Sequence, residues 1–317
     1  MSNILITGAT GFIGANLART LSKSGDKISI FLKSKPNLWR LKDIISHFDT
    51  HVIDISNPDM IKQKIMEIKP DIVYHCAAYG VYPSQKDLNT IIQTNVIGSA
   101  NLMQVLAKYN DLEKFINIGS VFEYGPKLKP AKETDIVKPI TIYGIAKVTQ
   151  THLAQYFALA NNLPTVTLRI FTTYGTYEEP GRLISDIMVA SIRNTPLKLA
   201  CLTARRDFIY IDDVINALIK ATKTRGIEGE IFNIGGGRAF DVQEIVDLIQ
   251  EISQTNLKIS LDDKKQLEFD RIIGSKTVFA NIEKARKDLS WKPRYSIKEG
   301  LKKTYDWYKK NIQLYQN

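Results

Sequence analysis

The 317-residue chain is poor in the residues that build disulfide frameworks and metal sites: it has two cysteines, Cys76 and Cys201, and four histidines. Each cysteine sits among apolar neighbours, so both read as buried free thiols in a reducing compartment rather than as staples of a secreted domain. The histidines show no metal-ligand spacing, and no metal is expected. Also missing is any apolar run approaching the ~18 residues of a membrane span. Only three residues precede the first apolar run, which leaves no room for a signal peptide. A cytoplasmic location without a membrane partner is expected. Lys and Arg number 43 against 33 Asp and Glu, a formal charge of +10. There is no basic tail or arginine-rich run, because acids stand between the basic residues throughout. Nucleic acid is therefore not expected as a partner, and a few local sites for anionic ligands are.

What is present is a long chain with 44% hydrophobic residues, enough for a large core in one domain or two intimately joined ones. Apolar runs alternate with amphipathic stretches through the first half. The pattern predicts strands over 3–7, 27–32, 51–54, 71–76 and 114–119, with helices over about 12–24, 58–68 and 88–109. A helix from Tyr143 to about Ala160 and a strand ending near Phe171 follow. Continuous apolar strands suit a parallel sheet covered on both faces, so the fold class is α/β with a doubly wound Rossmann sheet. Beyond Phe171 the alternation loosens. "TTYGTYEEPGR" reads as loop, and a helix follows near 182–193. "ARRDFIYIDDVINALIKAT" reads as a strand running into a helix capped by Asp212 or Asp213. "EIFNIGGG" reads as a strand returning to the main sheet, and a last amphipathic helix covers 297–311. Residues 1–170, with a return segment at about 205–237, are expected to form the dinucleotide half. Residues 171–204 and 238–317 are expected to form a smaller substrate-binding region.

"TGATGFIG" places Gly8, Gly11 and Gly14 where a strand ends and a helix begins. Missing side chains there let the backbone approach a pyrophosphate, and the helix N-terminus offers free amide donors. The next strand ends in "FLKSKPNLWR", and no carboxylate occurs between Lys27 and Arg40 to accept from the adenosine ribose hydroxyls of NAD. Lys33, with Lys35 and Arg40 near it, suits the extra phosphate of NADP. NADP(H) is thus favoured and NAD(H) remains possible, the alternative being a solvated basic loop.

Tyr-x-x-x-Lys occurs three times, as Tyr82/Lys86, Tyr143/Lys147 and Tyr305/Lys309. The first contains Pro83 and reads as loop, and the last lies on the terminal amphipathic helix "GLKKTYDWYKK". Only the middle pair begins a helix after a serine-bearing turn, "FINIGS", which ends at Ser120. Residues four apart share a helix face, so Tyr143 and Lys147 can serve one ligand. A tyrosine with its ordinary pKa near ~10 is a poor base at neutral pH, and an adjacent ammonium stabilises the phenolate.

With these residues together the chain resembles the extended short-chain dehydrogenase/reductase family, in its nucleotide-sugar epimerase, dehydratase and reductase branch. "HCAA" resembles its fourth-strand motif, and "LRIFTTYGTYEEPGR", "RRDFIYIDDV" and "VFANIEKARKDLSWKP" resemble later family segments. The resemblance implies Ser120, Tyr143 and Lys147 as the catalytic set. It implies cofactor contacts from the glycine loop with Thr10, Phe12 and Ile13, then from Asp54 and Ile55, and from Ala77 and Ala78. On its local sequence alone Asp54 also fits a turn or cap. Substrate contacts are implied at Tyr79, Tyr82, Ser120 and Thr172, with Arg206 and Arg271 as diphosphate candidates because a guanidinium binds phosphate bidentately. His75 reads as packed. A homodimer through the helices around 95–108 and 143–160 is implied.

Three family reactions compete. Dehydratases carry an Asp-Glu pair after the catalytic hydroxyl residue; Val121 and Phe122 stand there, and Glu123 comes one position too late. Epimerases return the hydride they take and usually retain NAD, whereas a reductase draws on NADPH each turnover. The basic end of the second strand, Thr172 where many relatives carry asparagine, and "CAAYGVYPSQ", which resembles the substrate loop of CDP-sugar 4-ketoreductases, favour NADPH-dependent reduction of a nucleotide-linked 4-keto hexose, an activity of surface polysaccharide synthesis. NAD-dependent 4-epimerisation is the alternative. A non-catalytic NADP-binding regulator is the rival of a different class, and it has no need of the Ser, Tyr and Lys set.

Overall fold

The computed structural model describes residues 1–82, 84–262 and 278–315. Its first half runs β1 (Asn3–Thr7), α1 (Phe12–Leu21), β2 (Lys27–Leu32), β3 (Asp49–Val52), α2 (Pro58–Ile68), β4 (Ile72–His75), α3 (Leu88–Ile92), α4 (Ser99–Leu106), β5 (Lys114–Ser120), α5 (Ile142–Asn161) and β6 (Thr165–Ile170). The second half continues with β7 (Thr172–Tyr174), α6 (Leu183–Arg193), β8 (Leu197–Leu199), β9 (Arg205–Tyr210), α7 (Ile211–Lys223), β10 (Ile231–Ile234), β11 (Ala239–Asp241), α8 (Val242–Ser253), β12 (Ile259–Leu261), α9 (Glu283–Asp288) and α10 (Ile297–Asn311).

Among the described residues, seven strands form the central sheet in the order β10-β6-β5-β4-β1-β2-β3, every pair parallel. This is the doubly wound Rossmann sheet read from the sequence. Alternation along each strand divides the core. In β1, Ile4 and Ile6 join the cluster under α1 and α7, while Leu5 joins the cluster under α2, α4 and α5. Both faces are covered, so β5 and β6 are buried from end to end.

The helix expected over 88–109 is interrupted by a π turn at Gln93–Gly98. It turns Asn95 fully inward, where its side chain accepts from Tyr79 N at 2.9 Å and donates to Tyr79 O at 2.6 Å. Such wide turns are common where a helix serves a site. The segment expected as loop after Phe171 contains β7, which pairs with β9 in a small three-stranded sheet completed by β11. Neither aspartate caps α7, whose N-cap is Tyr210. Asp213, fully buried, instead accepts from the backbone N–H groups of Arg294 and Tyr295 and ties the C-terminal segment to this helix. β10 does return to the central sheet, beside β6.

Candidate active site

A continuous cleft of about 1590 Å³ runs over the C-terminal ends of β1, β2, β4, β5 and β6. One-ligand pockets have ~300–1,000 Å³, so this volume suits two ligands side by side. Its floor is the glycine loop. Gly8 has φ +67°, and a Cβ there would stand 2.5 Å from Ala77 N, so the ends of β1 and β4 meet only across a glycine. A Cβ at Gly14 would overlap the Gly8 carbonyl oxygen, which presses the first turn of α1 onto the loop. Gly11 is the N-cap and offers no side-chain cap, leaving the first amides of α1 without a side-chain acceptor at the cleft. A pyrophosphate fits this cradle.

Thr10, Gly11, Phe12, Ile13, Lys33, Asp54, Ile55, Ala77 and Ala78 line the same cleft. One oxygen of Asp54 accepts from Ser56 N at 2.9 Å and Ser56 Oγ at 2.8 Å, a turn that leaves the residue on the cleft wall. Lys33 and Lys35 are exposed there. Arg40 reaches the cleft wall but is largely engaged within the protein. It is 6% exposed, and its guanidinium donates to Tyr177 O at 2.8 Å, Thr10 O at 3.2 Å and Glu179 Oε2 at 2.5 Å. It straps the loop after β7 to the glycine loop, and Lys33 and Lys35 are the exposed cations just beyond β2. His75 is packed as expected, bonded to Thr7 Oγ1 at 2.7 Å and Ser99 Oγ at 2.8 Å. Burial pushes it down to about 3, so the ring is neutral.

Ser120 ends β5 and caps a single 3₁₀ turn, Val121–Glu123. Tyr143 and Lys147 occupy the first turns of α5, whose N-cap Thr141 accepts from Gly144 N at 3.0 Å. Ser120 and Tyr143 line the cleft together, with the serine near enough to favour the phenolate. Burial pushes Tyr143 up to about 12, with the charge of Glu123 acting the same way; Ser120 and Arg182 pull it down. Lys147 is 1% exposed and donates to the Ile118 carbonyl and, at 2.6 Å, to Gln150 Oε1. Burial lowers it to about 8. The lowering of Tyr143 expected from Lys147 therefore comes here from Ser120 and Arg182, because the ammonium is turned toward β5.

Tyr82, Thr172 and Arg206 line the far arm of the cleft. Tyr79 stands beside the cleft rather than on its wall, its ring centroid 5.6 Å from Lys33 Nζ. Arg271 lies outside the described residues. Sequence reasoning missed Gln150, whose amide continues from Lys147 to Asn117 Oδ1 at 2.6 Å. It also missed Arg182, which lies on the cleft 6.0 Å from the Tyr82 ring and 3.4 Å from Glu178 Oε1. No periodicity marks it, because residues 178–182 form the loop that leads into α6. Among the described residues no group of three or more His, Cys, Asp or Glu could hold a metal, and no helix is long and apolar enough to cross a membrane.

Residues 4–235 match the model of the NAD dependent epimerase/dehydratase family. The chain belongs to this family. The family member described here is 28% identical over 326 residues to a UDP-glucuronate 4-epimerase of Thermodesulfobacterium geofontis, covering 99% of this chain and 98% of that protein. It is 26% identical to a dTDP-glucose 4,6-dehydratase of Salmonella typhimurium, covering 99% and 94%. Among solved structures, the UDP-glucose 4-epimerase of Thermotoga maritima with UDP-glucose superposes with TM-score 0.87 at 27% identity, covering 98% of this chain and 99% of that one. The UDP-glucuronic acid 4-epimerase of Bacillus cereus, in complex with UDP-glucuronic acid and NAD, gives 0.85 at 28%, covering 97% and 99%. The protein is accordingly an enzyme of the nucleotide-sugar epimerase/dehydratase superfamily.

Proposed function

We propose that this family member moves a hydride at carbon 4 of a nucleotide-linked hexose, in the direction of reducing a 4-keto sugar. The reading is carried by one observation: Ser120, Tyr143 and Lys147 share a cleft with the glycine loop. A bound nicotinamide dinucleotide would supply the hydride. Tyr143, held protonated by burial, gives its phenolic proton to the oxygen left by the carbonyl, and Ser120, beside Tyr143 on the cleft, orients that oxygen. Lys147, four residues on along the same helix face, supplies a positive charge to the same cleft. Thr172 on β7 and Arg206 on β9, neighbouring strands of the small sheet, hold the nucleotide sugar.

Dehydration lacks its acid and base. Val121 and Phe122 occupy the places after Ser120, and Glu123 is fully buried in an ion pair with Arg169. Lys33 and Lys35 at the end of β2, without a carboxylate, support NADPH and hence reduction. The second reading is 4-epimerisation with a retained NAD, favoured by the 4-epimerases among the relatives and by the NAD in their structures. Titrating cofactor-free protein with NADPH and NADH, and identifying any nucleotide that copurifies, separates the two. The expected result is NADPH binding at least about tenfold tighter, roughly 1.4 kcal/mol. Copurified NAD with no NADPH preference supports the epimerase instead.

The pH dependence follows from Lys147. Its lowered pKa of about 8 keeps the ammonium below that pH and loses it above. The kcat/KM for reduction, which reports the free enzyme, is expected to be level below about pH 7 and to fall about tenfold per unit beyond about pH 8. A profile level through pH 9.5 removes Lys147 from the mechanism.

A further inference from the structure

Glu123 is the acidic side chain of the Ser120 turn, and the mechanism above does not use it. It is fully buried. Oε1 accepts from the backbone N–H of Ser120 at 2.7 Å, and Oε2 accepts from Arg169 Nε at 2.7 Å. Arg169 goes on to donate to the Tyr124 hydroxyl at 2.9 Å, and Tyr124 donates to Asn233 Oδ1 at 2.7 Å. The carboxylate is thus held between β5, β6 and β10. Gly119 makes the room: a Cβ there would stand 2.7 Å from Glu123 Oε1. Buried ion pairs gain little net stability, since desolvation offsets most of the attraction and apolar residues of similar volume often serve as well. The carboxylate also closes a capping box with Ser120, a role that a neutral Gln fills as well, so packing and capping together do not account for a buried charge beside the serine.

We propose that Glu123 is a positioning residue of the active site: through the Ser120 N–H it fixes the serine at its place on the cleft beside Tyr143, and its charge is part of the field in which Tyr143 exchanges its proton. The proposal rests on the roles given above to Ser120 and Tyr143. The groups that share this field are Arg169 on β6, Tyr124 on the same turn, Glu133 behind Arg169, Tyr143 and Lys147 on α5, Cys76 after β4, and Arg182 at the start of α6. The negative charge of Glu123 raises the proton affinity of both Tyr143 and Lys147. Neutralising it lowers both, and leaving Arg169 in place adds to the effect on Tyr143.

The first measurement needs no substrate. Protein carrying ¹³Cζ-tyrosine is titrated by NMR from pH 8 to 11.5, the Tyr143 signal being the one lost in Tyr143→Phe. In wild type the Tyr143 signal stays mostly protonated over this window, and in Glu123→Gln its midpoint is expected to fall by about one pH unit or more, the size of shift a nearby charge causes, so that it titrates within the window. Should the unpaired Arg169 unfold that variant, Glu123→Leu with Arg169→Leu removes both charges; there the loss of the Ser120 anchor is read from kcat. With the nucleotide sugar that wild type turns over, kcat is expected to drop about tenfold to a hundredfold, as for a catalytic group misplaced by ~1 Å. KM and NADPH affinity stay within about threefold. A Tyr143 signal that titrates as in wild type, or stays unmoved in both proteins, overturns the electrostatic role. Unchanged kcat in a folded variant overturns the positioning role. Neither result touches the reading of the site itself, which fails separately if Tyr143→Phe stays active.

Discussion

Tyr143→Phe is expected to abolish turnover while leaving cofactor affinity within about twofold. The ring has a place of its own, edge-on to Phe122 with centroids 5.8 Å apart, and phenylalanine fills it. What is lost is the phenolic hydroxyl, the group that would give the proton. A positioned acid contributes about 10²–10⁴ in rate, so kcat should fall at least a hundredfold. Equilibrium titration with NADPH checks that the cofactor cleft is intact, and steady-state kinetics read the loss. A variant that keeps more than about a tenth of wild-type activity shows that another group gives the proton.

Gly8→Ala is expected to remove dinucleotide binding and to destabilise the fold by roughly 3 kcal/mol or more, the range of severe single substitutions. Two terms add there. The left-handed backbone at φ +67° costs a non-glycine residue about 1–2 kcal/mol. The new methyl would also meet backbone atoms of Cys76 and Ala77 within 2.6 Å, and these cannot move without shifting β4. Gly25→Ala separates the terms. Gly25 has φ +81°, but a methyl group there would meet nothing within 4 Å, so it should cost only the backbone term and leave NADPH binding unchanged. Thermal unfolding and cofactor titration of the two variants give the comparison; equal losses would mean that the contact between β1 and β4 does not matter.

Both predictions use parts of the site that short-range sequence made legible. The glycine loop is a local pattern, and Tyr143 with Lys147 needs only a helix start and a spacing of four. The strands of the central sheet were readable because burial on both faces leaves unbroken apolar runs. What escaped depends on partners distant in sequence. Arg40 read as a free cation near the ribose because its partner Glu179 lies 139 residues on. β7 is three residues long and exists by pairing with β9, so no periodicity announces it. The π turn serves Asn95 and its bonds to Tyr79, a contact across the helix entrance rather than a helical preference. The three Tyr-x-x-x-Lys pairs could be ranked but not separated by spacing. In the fold, Tyr143 and Lys147 line the cleft, whereas Tyr305 and Lys309 lie on α10 away from it.

Deuterium transfer tests the central claim most directly. The protein is incubated with NADPH deuterated at nicotinamide carbon 4 and with CDP-, dTDP-, GDP- and UDP-linked 4-keto-6-deoxyhexoses, and the products are read by mass and proton NMR. The expected product carries one deuterium, located at sugar carbon 4. A product with no deuterium at carbon 4, or inversion of a 4-hydroxyl in UDP-glucose or UDP-glucuronic acid without uptake from NADPH, contradicts the reductive account.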